Sequence, residues 1–311
     1  MNQTNIPTIQ AAQTEMSGGS APWSAEKLVY YAALLAGLGV LARTLSGEVA
    51  TTLFASGEPG RTCIDGGSPL VLSVVAPGGR RLGVITRSGP AERGVLPWLR
   101  TYYHADGGVQ RWQTETYVGE VPAAWERARF IAERAGQLEI LRRIHAIIGP
   151  HSHLYSVDWS LDRSRPLARV GWQLDRTLPI DRALTALDHG HSWPTAASFW
   201  TALLGYAPDP RRGPWSISLL LGQEPRLRLG STNWARCFEE DDKRRRFAAV
   251  IDEQGGDRRF AESLYKLIVS VSRQEHRGIG RAVELELVDR TAEAAEYYFA
   301  CFEKRGDLWA G

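Results

Sequence analysis

The sequence predicts an α+β fold, an antiparallel closed β-barrel of repeated αββα units surrounded by helices. Three features of the chain predict it. Short strands come in pairs joined by tight turns, these pairs alternate with amphipathic helical stretches, and arginines recur within the strands. The clearest pairs are Leu70–Ala76 with Arg81–Arg87, His153–Trp159 with Leu167–Leu174, and Trp215–Leu221 with Arg226–Thr232. Consecutive antiparallel hairpins with helices between them suit one closed sheet, because closure removes exposed edges. A doubly wound parallel sheet would place single strands between helices, and these strands are paired.

Taken in order, residues 1–22 are polar and read as a disordered tail, and 23–311 as a single barrel domain. Ser24 can cap a helix from Ala25 to Leu45. Val49–Phe54 is open between helix and strand, and the Gly-rich stretch Gly57–Gly67 reads as a loop. The first hairpin turns at Pro77-Gly78-Gly79. Gly94–Tyr103 is expected as a helix and Val109–Gly119 as a strand. A long helix from Pro122 to Ile148 closes at Gly149-Pro150. The hairpin His151–Leu174 follows, then a helical stretch Pro179–Leu204 broken near His189–Pro194. The hairpin Trp215–Trp234 turns at Gly222–Pro225. A helical region Asp241–Ile268 is interrupted at Gly255-Gly256, and strands Ile268–Arg273 and Arg281–Val288 come next. Thr291–Lys304 is expected as a final helix.

The 311 residues are 43% hydrophobic and 23% charged, enough for a large core. A formal net charge of +2 makes no case for nucleic acid. Cys63, Cys237 and Cys301 form neither a disulfide framework nor a metal-knuckle spacing, which fits a reduced, cytoplasmic setting. The polar N-terminus lacks the basic start and apolar run of a signal peptide. The most apolar helical stretch, Val29–Leu41, is too short to span a bilayer. A soluble protein without membrane or nucleic-acid partners is expected.

Alternate strand residues face opposite sides. Arg226 and Arg228 therefore share a face, as do Arg81 and Arg87. If such faces line a barrel, several guanidinium groups converge on one cavity suited to pyrophosphate or another polyanion. The opposing reading is a solvated strand face paired with acids. His151-Ser152-His153 and His189-Gly190-His191 lack the partners of a zinc site. Glu239-Glu240-Asp241-Asp242-Lys243-Arg244-Arg245-Arg246 reads as a solvated helix start, its acids at the positive end of the dipole. Leu35-Ala36-Gly37-Leu38-Gly39 has no preceding strand and is not a nucleotide loop.

Tyr155-Ser156-Val157-Asp158-Trp159, followed by Leu167-Ala168-Arg169-Val170-Gly171-Trp172, resembles a pair of central strands in the soluble aromatic prenyltransferases with the αββα (ABBA) barrel, the PT barrel. That family tends to show an apolar–Asp–aromatic strand, a polar turn and a strand of the type Asn-Val-Tyr-Phe. Gly222-Gln223-Glu224-Pro225-Arg226-Leu227-Arg228-Leu229 resembles its turn-plus-strand with a pyrophosphate-binding arginine, and Arg281 stands where it usually has a late-strand lysine. The chain departs from the pattern at three places. Gly83 takes the position of a Mg²⁺-holding Asp, Gln113 that of a lysine, and Gly171 that of the tyrosine.

The resemblance implies transfer of a dimethylallyl or geranyl group from its pyrophosphate to an electron-rich aromatic acceptor, a phenol, an indole or a peptide aromatic residue. It implies no cofactor, with Mg²⁺ dispensable. Arg81, Arg111, Gln113, Arg169, Arg226, Arg228 and Arg281 would bind pyrophosphate, where fixed cations stabilise the leaving charge. Tyr117, His153, Tyr155 and Trp215 would line the substrate pocket, where ring faces can shield a cation; core packing is the other reading of such aromatics. Glu115 would take the arenium proton or serve as an ion-pair partner. Asp158, by simple alternation, has the opposite parity to Tyr155 and is expected to be structural. A barrel cyclase and a non-catalytic ligand-binding barrel are the alternatives.

Overall fold

A computed structural model of the chain describes residues 70–76, 79–89, 94–104, 108–117, 121–162, 167–211, 215–231, 241–256, 258–259, 262, 278–288 and 291–302. The expected tail, the first helix, the stretch 49–68 and the strand 268–273 lie outside them.

Among the described residues there are ten strands: β1 Leu70–Ala76, β2 Gly79–Arg87, β3 Val95–His104, β4 Val109–Tyr117, β5 Ser152–Ser160, β6 Ala168–Leu174, β7 Trp215–Leu221, β8 Arg226–Ser231, β9 Gly278–Val288 and β10 Thr291–Phe302. All neighbours are antiparallel, and β1 is bonded to β2 on one side and to β10 on the other, so the sheet closes into a barrel. The helices whose bounds lie within the described residues are α1 Pro122–Arg134, α2 Leu138–Ile148, α3 Ile180–Ala186, α4 Ser192–Leu204 and α5 Asp241–Glu253. None of the described helices is long and apolar enough to cross a membrane.

The sequence pattern decides which strand face meets the helices. Along β6, Ala168, Val170, Trp172 and Leu174 are buried, and along β7 so are Trp215, Ile217, Leu219 and Leu221. These alternate apolar residues join one core with the helix stripes Ala124, Ala128 and Ala132 of α1 and Leu141, Ile144 and Ile148 of α2. The alanine stripe at i, i+4, i+8 lets α1 lie close to β5. Each fully buried large apolar side chain contributes about 1.5–3 kcal/mol. The residues between them on each strand point into the barrel.

Two segments expected as helices are strands. Val95–His104 is strand β3 and not a helix, and Thr291–Phe302 is strand β10 and not a helix. Each pairs along both edges, β3 with β2 and β4, β10 with β9 and β1. For β10, the run Thr291-Ala292-Glu293-Ala294-Ala295-Glu296 has helical propensity, but two rows of backbone bonds outweigh a preference of a few tenths of a kcal/mol per residue, about the spread of these scales. The long helix expected over 122–148 is two helices, divided at Gly136, whose φ of +68° suits glycine. The breaks near His189 and at Gly255-Gly256 fall where expected; Gly255 also has positive φ.

Candidate active site

Register fixes the inner face. Asp158 pairs with Arg169, Arg169 with Leu220, and Leu220 with Arg226, so these four positions form one row across β5 to β8. The adjacent row runs Ser156, Gly171, Ser218, Arg228 and Glu286. Thr114 pairs with Asp158, Trp98 with Thr114, and Arg100 with Trp112, which brings β3 and β4 onto the same face.

Two carboxylates organise four arginines there. Asp158 Oδ2 accepts the Nε–H of Arg169 at 2.8 Å, its Oδ1 accepts the Thr114 hydroxyl at 2.6 Å, and Arg100 Nη1 lies 3.7 Å from Oδ1. Burial alone would push the Asp158 carboxyl up. Arg169, Arg100 and the Thr114 hydroxyl together hold it below the usual carboxylate value. Glu286 accepts from Arg226 Nη1 at 2.6 Å through Oε1 and from Arg228 Nη2 at 3.0 Å through Oε2. Burial again opposes its charge, and the two arginines win, so this carboxyl too is held low. Exposure rises along the row: 2% at the Asp158 side chain, 13% at Arg169 and 39% at Arg226. Arg226, the most exposed of the four, also lies 3.8 Å from the Glu224 carboxylate, so four guanidinium groups and three carboxylates form the charged group on this side of the sheet. That arrangement can hold a polyanion by charge-assisted, forked hydrogen bonds.

By register, Arg169, Arg226 and Arg228 share one face of the sheet, with Arg169 two strands away from the other two. Arg81 occupies the corresponding face by register, paired with His104 of β3. Arg281 has the parity of Leu285, which is buried in the helix-side core, and not that of Glu286, so its position is on the opposite face. The β4 set departs as a group. Arg111, Gln113, Glu115 and Tyr117 alternate with the inner residues Thr114 and Thr116 and lie on the helix side. Arg111 is exposed, and the Gln113 amide donates to Ser88 Oγ at 2.6 Å. Glu115 accepts from the Tyr117 hydroxyl at 2.8 Å and from Arg127 Nε of α1 at 3.1 Å. It is the ion-pair partner, not a residue of the cavity. Burial and the bond to Glu115 push the Tyr117 phenol well above its ordinary value. Trp215 packs edge-on against Trp193 and Trp200 in the core. His153 has inner parity but is exposed at the strand end.

The expectation that Asp158 and Tyr155 face opposite sides of β5 does not hold. A β-bulge lies between Leu154 and Ser156, so one residue is added and the alternation resets. Asp158 therefore belongs to the inner face. Arg100, Trp98, Thr114 and Glu286 are the inner-face residues that sequence reasoning missed. Trp98, Arg100 and Tyr102 do show strand alternation, and Pro97 would sit badly inside a helix. No cluster of three or more His, Cys, Asp or Glu side chains able to hold a metal ion occurs among the described residues.

No protein-family model matches the sequence, and no curated protein matches it. Solved structures do match in fold. A 6-dimethylallyltryptophan synthase from Micromonospora olivasterospora, in complex with DMASPP and Trp, is 13% identical with a TM-score of 0.55 over 95% of this chain and 96% of its own. A 5-dimethylallyltryptophan synthase from Streptomyces coelicolor is 14% identical with a TM-score of 0.57, covering 96% and 98%. A further 6-dimethylallyl tryptophan synthase reaches a TM-score of 0.62 at 13% identity, covering 90% and 97%. The chain shares their fold over nearly its full length.

Proposed function

We propose that this chain is an aromatic prenyltransferase. It transfers a dimethylallyl or geranyl group from its pyrophosphate to an electron-rich aromatic acceptor, with an indole as the first acceptor to try. The observation that carries this is the double arginine pair on the inner barrel face, Arg226 and Arg228 on Glu286, and Arg169 and Arg100 on Asp158. The fold likeness to synthases named for dimethylallyltryptophan supports it.

In this reading the pyrophosphate binds between Arg169, Arg226 and Arg228. The allylic carbon–oxygen bond breaks and its electron pair leaves with the pyrophosphate, whose growing charge the guanidinium groups meet in a partly dry cavity. The arene carbon then bonds to the allylic cation, and the arenium proton passes to a base on the inner face. Glu286 is the carboxylate placed for it once pyrophosphate has taken over its arginines. In this reading the guanidinium groups meet the pyrophosphate charge directly, and Mg²⁺ is dispensable. Glu115, paired with Arg127 and Tyr117 on the helix side, takes no part in this reading.

The test is turnover. Purified protein with dimethylallyl pyrophosphate and a panel of indoles and phenols in EDTA should release pyrophosphate and yield a product heavier by the prenyl group. Binding of the donor without any turnover would leave a ligand-binding barrel instead. Conversion of an acceptor without donor consumption would indicate a cyclase.

A further inference from the structure

The bulge in β5 places an aromatic ring where β6 has none. Gly171 is on the inner face, between the helix-side residues Val170 and Trp172. A Cβ at Gly171 would fall 2.8 Å from Tyr155 Cε1, 2.9 Å from Tyr155 Cζ and 2.9 Å from Ser156 Oγ. The ring of Tyr155 thus occupies the space into which a side chain at 171 would grow. Any residue but glycine there would have to displace it. The added residue in β5 is what makes this possible, because it sends Tyr155 and Ser156 toward the same strand face opposite a single partner. The tyrosine that the family resemblance implies at 171 is absent from β6, and a tyrosine ring reaches that place from the neighbouring strand.

The location connects the ring to the cradle. Gly171 pairs with Ser218, Ser218 with Arg228 and Arg228 with Glu286, so the Tyr155 ring over Gly171 lies against the row that carries Arg228. Adjacent strands are about 4.8 Å apart, so two strand spacings, about 10 Å, separate the Gly171 and Arg228 backbones. An anion held by Arg228 and Arg169 would have its esterified carbon chain beside the Tyr155 ring. Gly171 and Ser218 have almost no side chains to fill that region.

We propose that Tyr155 is the specificity-determining residue for the donor, the wall that limits the length of prenyl chain the barrel accepts, and that Gly171 is the space the wall requires. This rests on the prenyltransferase reading above. A pocket wall discriminates between homologous apolar chains by about 10-fold or more per excluded group. The experiment measures Kd for dimethylallyl and geranyl thiopyrophosphates and for inorganic pyrophosphate, on wild type, Tyr155→Phe, Tyr155→Ala, Gly171→Ala and the double variant Tyr155→Ala/Gly171→Tyr.

Tyr155→Ala should shift the geranyl-to-dimethylallyl preference toward geranyl by about 10-fold while the Kd of pyrophosphate changes less than about twofold. Tyr155→Phe should keep the wild-type ratio, since the ring remains. The double variant should return toward that ratio, and Gly171→Ala, which pushes the ring aside, should move it. An unchanged ratio in Tyr155→Ala, or equal weakening of all three ligands, overturns the proposal while leaving the prenyltransferase reading intact. No binding of either thiopyrophosphate by the wild type overturns that reading, and the proposal with it.

Discussion

Asp158 faces Arg169 across the β5–β6 register, and its Oδ2 takes the Nε–H of that arginine at 2.8 Å. The same carboxylate holds the Thr114 hydroxyl and stands 3.7 Å from buried Arg100. It is the counter-charge that allows two arginines to sit inside the barrel. Removing one partner of such a group leaves uncompensated buried charge, which costs about 3–5 kcal/mol. Asp158→Ala should therefore lose about that much stability in urea unfolding. A loss under about 1 kcal/mol would mean that water reaches these arginines and that the group is not the buried hub described.

Acid should act through the same carboxylates. Asp158 and Glu286 are both held below their ordinary values of 3.8 and 4.5 by the arginines beside them. Their stabilisation is fully present above those ordinary values and is lost as pH falls through the lower folded-state values. Unfolding free energy of the wild type should fall as pH drops below about 4.5, and the fall should be shallower in Asp158→Asn/Glu286→Gln. Parallel curves for the two proteins would place the acid-sensitive groups elsewhere.

Glu115 provides a control on the placement of β4. Its carboxylate meets Tyr117 and Arg127 on the helix side, and Arg127 is 42% exposed. Glu115→Gln should leave kcat and donor Kd within about twofold and cost no more than about 1 kcal/mol of stability, as for a partly exposed ion pair. A fall in kcat of about 100-fold or more, the scale of a lost general base, would return Glu115 to the chemistry.

The core that carries the barrel is equally testable. Trp172 is fully buried on the helix side of β6. Trp172→Ala should cost about 3–5 kcal/mol in urea unfolding. A cost near 1 kcal/mol would contradict the assignment of that face to the core, and with it the inner position of Arg169 and Gly171.

Much of this was legible in the residues. The strand pairs 70–87, 153–174 and 215–231 stand out because apolar alternation is flanked by turn residues, and the arginine alternation in Arg226-Leu227-Arg228-Leu229 survives unchanged in β8. What could not be read is nonlocal. Whether Glu115 or Thr114 faces the cavity depends on how β4 is registered between β3 and β5, and local pattern on β4 is polar on both faces. Asp158 was misplaced because one extra residue in β5 resets every later position, and a bulge leaves no mark in the sequence. Arg100 was hidden by the helical appearance of its surroundings, and β10 by its alanines. Both strands exist because the ring offers each of them two edges to pair with.

The account stands on the inner-face arginines as a pyrophosphate cradle, and the most direct measurement is calorimetric titration with dimethylallyl thiopyrophosphate, first in EDTA and then in Mg²⁺, on wild type and Arg226→Ala. Binding in the micromolar range in EDTA, weakened by about tenfold or more when one charge-assisted contact is removed, is the predicted result. No binding in either condition, or equal binding by Arg226→Ala, would contradict it.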